Sequence, residues 1–320
     1  MLVKVLENIP LAEVFIRNIY WRSKTVNAII SWIAKKYSKK TNNISNSLSS
    51  ADFSVVVEAI KSLGVCEGDI LIVHSAYGEL RHFGLSPTDI VNILKSIVGD
   101  RGTLVMPAIP IFKEEPEAKD RFQDEFYKKI FTYDVRKTRT WTGILPQTLM
   151  KMDGAIRSRH PLNTIVALGF HAEEMTRNNL TYEGQTACGE GSSWAYCFYK
   201  NAKILMLGVD VVHSLTMIHV AEDLYEVQWP VKDWYRNRQF RVIDNEFDKT
   251  VTLRERHPKW ALFYAERRFS KDLMQMKIVK NQKVAGLNIS LCNSTDLLNY
   301  LNIQKESAYP YVIPFFRKNK

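Results

Sequence analysis

Residues 69–75 read DILIVHS and residues 102–110 read GTLVMPAIP, and a helix pattern lies between them. Each run is short and mostly apolar, as is typical of a buried strand. Ser86 and Pro87 open the intervening helix as N-cap and first-turn residue, and Gly99 ends it. Strand, helix and strand in this order predict an α/β fold with a mixed, largely parallel sheet that carries helices on both faces.

The same alternation continues outward from this unit. We predict a helix over 51–63 that Gly64 ends, strands over 164–170 and 202–209, and a hairpin of 240–243 with 250–253. Residues 111–140 are charged and lack clean periodicity, so we expect a long excursion near the functional site.

The first fifty residues differ from the rest in charge and pattern. They hold eight Lys and Arg against two Glu, a net charge of +6 out of +10 for the chain. Val26, Ile29, Ile30 and Ile33 have helical spacing, so residues 1–37 are predicted to form amphipathic helices and 38–50 a polar linker. We therefore divide the chain into an extension, 1–50, and a main domain, 51–320. Packing on that domain, self-association and peripheral membrane binding remain open for the extension.

Composition limits the class of protein. The sequence pI is 9.3, which favours an anionic partner, but aromatics among the N-terminal cations fit a buried helix face more simply than a nucleic-acid surface. There is no long apolar span and no secretory signal pattern. Four cysteines without metal-ligand spacing suggest reduced thiols, so we expect a cytoplasmic protein without a metal.

Among catalytic patterns, Thr216-Met217-Ile218-His219-Val220-Ala221-Glu222 is the most informative. It follows an apolar strand directly. On a helix, His219 and Glu222 share a face, and the carboxylate can fix the imidazole tautomer and raise its basicity. This pairing predicts a general base, although a surface His–Glu pair has the same spacing.

Three weaker candidates accompany it. Arg157-Ser158-Arg159 could clamp phosphates or form a solvated turn. His74-Ser75 closes a strand, where open α/β sheets bind ligands. The glycine-rich loop 188–193 contains Glu190 and could approach a ligand closely, and its Cys188 is an alternative nucleophile.

Taken in order, these segments resemble the aminoglycoside 3-N-acetyltransferase family. The matching stretches are Gly64-Val65, 68–75, 102–107, 142–146, 157–161 with Thr164, and 204–209 continuing to Thr216, His219 and Glu222. The resemblance covers about residues 51–300 and implies a CoA-dependent N-acyltransferase with acetyl-CoA as donor. It implies His219 and Glu222 as catalytic residues.

The resemblance also suggests the binding residues. CoA contacts are expected from His74, Ser75, Thr103, Arg157, Arg159 and Thr164. Acceptor contacts are expected from Glu190, Glu255 and Thr216.

Two departures from the family pattern bear on the acceptor. Ser75-Ala76 stands where the family has a serine pair, and Arg254-Glu255-Arg256-His257 replaces an acidic patch, leaving Glu255 as the candidate second acidic partner of His219. A modestly basic domain with these arginines suits an anionic acceptor better than a polycation.

We therefore predict acyl transfer to an amino sugar, linked to a nucleotide or a glycan precursor, in polysaccharide biosynthesis. One alternative is an aminoglycoside antibiotic 3-N-acetyltransferase, and a second is a catalytically inactive binding protein of the same fold. CoA and the small amino sugar are the expected partners. We expect no nucleic-acid partner, and we expect a homo-oligomer.

Overall fold

The computed structural model describes residues 6–23, 25–26, 28, 52–116, 120 and 122–313. The predicted linker over 38–50 and the apolar positions Ile29, Ile30 and Ile33 of the predicted helix lie outside these residues.

The helices of the described chain are α1 (Pro10–Arg22), α2 (Ser54–Leu63), α3 (Tyr77–Leu80), α4 (Pro87–Val98), α5 (Ile144–Leu149), α6 (Ala172–Arg177), α7 (Ser193–Tyr199), α8 (Val211–Ser214), α9 (Ile218–Leu224), α10 (Glu266–Gln275) and α11 (Ser294–Ile303). The strands are β1 (Ile70–Ser75), β2 (Thr103–Pro107), β3 (Phe131–Asp134), β4 (Ile156–Arg157), β5 (Ile165–Gly169), β6 (Lys203–Leu207), β7 (Tyr235–Asp244), β8 (Phe247–Arg256), β9 (Lys280–Val284) and β10 (Leu287–Asn293).

Seven strands form the main sheet in the order β4-β5-β2-β1-β6-β10-β9. β1 pairs in parallel with β2 and with β6, whereas the outer pairs are antiparallel. The predicted α/β class with a mixed sheet is confirmed, but parallel pairing in this sheet is limited to its three central strands. One reason is the two-residue turn Ala285-Gly286, since so short a connection can join only antiparallel strands, here β9 and β10.

Both faces of the main sheet are covered, as the apolar strand sequences require. In β1, Leu71 and Val73 belong to one buried cluster and Ile70 and Ile72 to another. Because successive side chains of a strand point to opposite faces, the two clusters are cores on the two sides of the sheet.

The predicted helix signals form as expected. Ser86 caps α4 in a capping box: its hydroxyl accepts from the Asp89 N–H, and its own N–H donates to the Asp89 carboxylate, both at 3.1 Å. Gly64 ends α2 in a left-handed conformation with φ of 116°, which favours glycine.

The excursion over 111–140 contributes β3 to a second, three-stranded sheet with the order β3-β7-β8. The hairpin of β7 and β8 is longer than predicted, ten residues in each strand. Charged residues on its outer face hide the alternation, whereas the inward side chains Phe240, Val242 and Leu253 pack on β3 in an aromatic core.

Helix α1 packs against α10 and the 3₁₀ turn Pro258–Phe263. Its Glu13 is only 2% exposed and accepts from the Arg267 backbone and guanidinium, while Asn18 donates to the Leu262 carbonyl at 3.0 Å. This part of the extension is therefore docked on the main domain; self-association or membrane binding through residues 1–37 stays a prediction. In the described part of the chain, every helix is too short or too polar to cross a membrane.

Candidate active site

The site forms at the carboxyl ends of the central parallel strands, where the connections after β1 and β6 lie side by side. Gly208 follows β6 with φ of 66°, and a Cβ there would meet Glu79 at 2.6 Å. This sharp turn leads through α8 to α9, which begins at Ile218. The segment between β6 and the motif thus forms two short helices, and His219 and Glu222 both lie on the second.

His219 and Glu222 contact each other on α9. The His219 Nδ1 lies 3.0 Å from the Glu222 Oε1, and Glu222 is 2% exposed. An ionised carboxylate only accepts hydrogen bonds, so Nδ1 carries the proton and Nε2 keeps its lone pair. Burial lowers the pKa of His219 even though Glu222 opposes this shift, which favours the neutral ring that a base requires.

Two more side chains hold Glu222. Tyr311 donates to the same Oε1 at 2.5 Å, and the Arg256 guanidinium lies 3.8 Å away. Burial by itself would raise the pKa of Glu222, but the positive charges of His219 in its protonated form and of Arg256, together with the two hydrogen bonds, outweigh it and lower the pKa. The carboxylate is therefore ionised and fixed beside the imidazole.

Two cavities of about 450 and 300 Å³ meet at this dyad, a third of about 260 Å³ adjoins the first at Thr216, and Trp141 lines all three. His219 lines the first and second. Thr216 lines the first and third, and Arg256 the first and second. The imidazole thus stands at a junction that two separate ligands could enter.

Asp223, the residue after Glu222, lines the second cavity. Its oxygens accept from the Tyr235 hydroxyl and the Cys188 N–H, both at 2.8 Å. Burial, reinforced by the neighbouring Glu222 charge, raises the pKa of Asp223 to about 7. Within the described residues no cation contacts this carboxylate as an ion-pair partner, so a ligand cation would stabilise its ionised form.

His74 and Ser75, predicted to bind CoA, both line the third cavity. Burial lowers the pKa of His74 to about 4, so its ring is neutral. Thr216, predicted for the acceptor, stands between this cavity and the first, on the path from β1 to His219.

The other predicted CoA residues lie elsewhere. The guanidinium of Arg157 is buried and donates to three backbone carbonyls, which a phosphate would have to displace. Thr103 and Thr164 are fully buried, and the hydroxyl of each makes a hydrogen bond with a backbone group. Arg159 is partly exposed and pairs with Asp244 at 2.6 Å. Structural contacts account for all four, and none lines the three cavities.

The two glutamates predicted for the acceptor also differ from expectation. Glu190 is exposed, accepts from the Tyr199 hydroxyl and lines none of the three cavities. Glu255 does line the second cavity, but Arg236 and Arg238 bind its carboxylate at 2.9 and 2.6 Å. These arginines neutralise Glu255, and the carboxylate in contact with the imidazole is that of Glu222. The role of Glu255 as a second acidic partner of His219 stays a prediction.

Cys188 has the wrong environment for a nucleophile. It is fully buried, and burial together with the Asp223 charge raises the pKa of its thiol well above the ordinary value. Nucleophilic thiols are activated in the opposite way, by a lowered pKa. In the described ranges, no group of His, Cys, Asp and Glu side chains could hold a metal ion.

Four site residues were missed in the sequence: Trp141, Asp223, Arg256 and Tyr311. Asp223 adjoins the recognised motif and could have been found there. Arg256 was read as a free cation. Tyr311 and Trp141 come from distant segments and carry no local signal.

Comparisons with a family model and with individual proteins both lead to aminoglycoside 3-N-acetyltransferases. Residues 72–303 match the family model described as aminoglycoside 3-N-acetyltransferase. Aminoglycoside N(3)-acetyltransferase IX of Micromonospora chalcea is 26% identical over 260 residues, 75% of this chain and 88% of that protein. Aminoglycoside N(3)-acetyltransferase III of Salmonella sp is 32% identical over 185 residues, 56% of this chain and 62% of that protein.

Solved structures share the fold. The binary complex of AAC-IIIb with CoASH superposes with a TM-score of 0.65 at 21% identity, covering 82% of this chain and 99% of that one. YokD from Bacillus subtilis gives a TM-score of 0.64 at 21% identity over 80% and 93% of the two chains.

Proposed function

The chain belongs to the aminoglycoside 3-N-acetyltransferase family, and from that premise we propose that it acetylates an amine of an aminoglycoside-type amino sugar with acetyl-CoA as donor. The protein is an N-acetyltransferase; the acceptor, the donor and the residue roles are our proposal. The observation that carries it is the His219–Glu222 pair at the junction of two cavities.

His219 acts as the general base. Its unprotonated Nε2 accepts a proton from the acceptor amine as the nitrogen attacks the thioester carbonyl. Glu222 stabilises the imidazolium that forms, and Tyr311 and Arg256 keep the carboxylate ionised and in place. The C–S bond then breaks, and the CoA thiolate takes up the proton from the His219 imidazolium, which restores the neutral base.

The donor thioester enters along the third cavity. Ser75 ends β1 there, and Thr216 lies between this cavity and His219. Backbone N–H groups or the hydroxyl near Ser75 would stabilise the oxyanion of the tetrahedral intermediate.

The acceptor amine enters the second cavity, where charge decides the substrate class. Arg254 and Arg256 motivated the prediction of a nucleotide-linked sugar, but Arg254 pairs with Glu226, and Arg256 lies against Glu222 and Tyr311. Their charges are thus engaged within the protein. Asp223, in contrast, has room for a cationic partner, which supports a polycationic acceptor over an anionic one.

The comparisons support the same choice, because the curated relatives are named for aminoglycoside acetylation. A role in polysaccharide biosynthesis gains no comparable support. The alternative of an inactive binding protein is less favoured, since both members of the dyad are present and in contact.

The test is an acceptor panel: purified protein, acetyl-CoA, and aminoglycosides, free amino sugars and nucleotide-linked amino sugars. Released thiol gives the rate and the mass shift gives the product. We expect kcat/KM for an aminoglycoside to exceed that for any nucleotide-linked sugar by at least tenfold. The reverse order would overturn the proposed acceptor and restore the anionic one.

His219→Ala tests the base. Loss of a general base costs about 10²- to 10⁴-fold in kcat. His171→Ala is a matched control, because His171 also faces a glutamate three residues later, Glu174 at 3.9 Å, but lines none of the three cavities. Equal activity of the two variants would refute the assignment.

A further inference from the structure

Helix α1 builds one wall of the first cavity. Arg17 and Trp21 line that cavity together with His219, although both residues precede the family-matched range 72–303. The extension therefore reaches the catalytic junction with side chains that the matched part of the fold does not supply.

A partly buried ion-pair network fixes this wall. Arg17 donates to Glu266 at 2.8 Å, and Arg267 donates to Glu13 at the same distance. The four charges cancel, so the wall adds little net charge to the cavity. The Nε of Arg17 is also enclosed by protein and has no hydrogen-bond partner among the described residues.

The lining has the composition of a carbohydrate-binding site. Flat aromatic surfaces come from Trp21, Phe122 and Trp141, and polar groups come from Ser214 and Thr216. Aromatic faces cover the C–H faces of a sugar ring, and a few placed polar groups orient it. At about 450 Å³ the cavity is much larger than the methyl group of an acetyl donor requires.

We propose that α1 is a specificity element: Trp21 and Arg17 bind a saccharide ring of the acceptor other than the ring that is acetylated. This inference rests on the proposed function and extends it to acceptors with two or more rings. The reacting amine lies at His219, and the additional ring extends into the first cavity against α1.

The test compares Trp21→Ala with Phe15→Ala. Phe15 is an aromatic residue of the same helix that is 66% exposed and lines none of the three cavities. We measure kcat and KM for acetyl-CoA, for a single-ring amino sugar and for a three-ring aminoglycoside. Trp21→Ala is expected to raise KM for the three-ring acceptor at least fivefold and to leave the other two KM values unchanged. Phe15→Ala is expected to leave all three KM values unchanged.

Three outcomes overturn the inference. A raised KM for acetyl-CoA would assign the cavity to the nucleotide end of the donor. A gain of activity with longer acyl-CoA donors would assign it to the acyl chain. Equal increases of KM for the single-ring and the three-ring acceptor, with a lowered melting temperature, would show that Trp21 has only a structural role.

Failure of the proposed function is distinguishable from failure of this inference. If the wild-type protein acetylates none of the amines, the proposed function fails, and calorimetric titration of the same two acceptors then decides the inference. Tighter binding of the three-ring acceptor that Trp21→Ala abolishes supports it. Equal affinity of wild type and variant refutes it.

Discussion

Glu222→Gln isolates the charge of the dyad from its shape. The amide oxygen can still accept from His219 and Tyr311, and the amide nitrogen takes the place of Oε2, which has no partner among the described residues. The variant therefore keeps the two accepted hydrogen bonds and removes the negative charge 3.0 Å from the imidazole nitrogen, while it places an amide N–H group at the buried Oε2 position.

The expected loss of kcat/KM in Glu222→Gln follows from the contact between His219 and Glu222. A hydrogen bond to a charged group contributes about 1.5–3 kcal/mol and a neutral one about 0.5–1.5 kcal/mol, so the imidazolium loses about 1–2 kcal/mol of stabilisation. Since 1.36 kcal/mol corresponds to a factor of ten in rate, kcat/KM should fall roughly 5- to 30-fold at its plateau.

The pH profile tests the cause. The base works unprotonated, so activity is lost as the pH falls through the pKa of His219. Without the Glu222 charge the protonated ring is less stable, the pKa of His219 falls further, and the acid limb of kcat/KM moves to lower pH. Glu174→Gln, beside the non-catalytic His171, should change neither quantity. A lowered plateau with an unmoved acid limb would refute the electrostatic role of Glu222.

Three further predictions concern the supports of the site. Tyr311→Phe removes a buried hydrogen bond to a carboxylate, so the free energy of unfolding in urea should fall by about 1.5–3 kcal/mol, with kcat/KM reduced as well; an unchanged unfolding curve would contradict this contact. Asp223 has a pKa raised to about 7, so its ionisation destabilises the fold: wild-type stability should decline between about pH 4 and 7, and Asp223→Asn should remove that part of the decline while raising KM for a polycationic acceptor. A pH-stability curve that the substitution leaves unchanged would exclude this titration. Gly102→Ala places a Cβ 2.5 Å from the Val98 side chain and should lower stability by about 1–3 kcal/mol, whereas Gly78→Ala, with open space around it, should be tolerated in the same thermal-unfolding assay.

Much of the fold and the centre of the site could be predicted from the sequence because they depend on local patterns. The strand runs at 69–75 and 102–110 formed with boundaries no more than three residues inside those expected, and the helix between them begins after Ser86 and ends before Gly99 as expected. His219 and Glu222 are three residues apart, so a single turn of helix brings them together whatever surrounds it.

The charge of the acceptor cavity was decided only by tertiary contacts. Arg256 looks like a free cation in the sequence, yet in the structure it contacts Glu222, 34 positions earlier, and Tyr311, 55 positions later. Nothing in the sequence distinguishes Asp223 from other aspartates. Its raised pKa results mainly from its burial in the folded chain. The electrostatic effect of a charged side chain depends on its partners and its exposure to water, and long-range packing sets both.

The extension shows the same division. Helices were predicted over residues 1–37, and α1 lies within that range. Nothing in the sequence indicated that Glu13 would contact Arg267 or that Trp21 would line the cavity of His219. Helical periodicity depends on the spacing of apolar residues that are close together in the sequence. The surface on which a helix docks depends on shape and charge complementarity with residues some 250 positions away, which only the folded chain brings into contact.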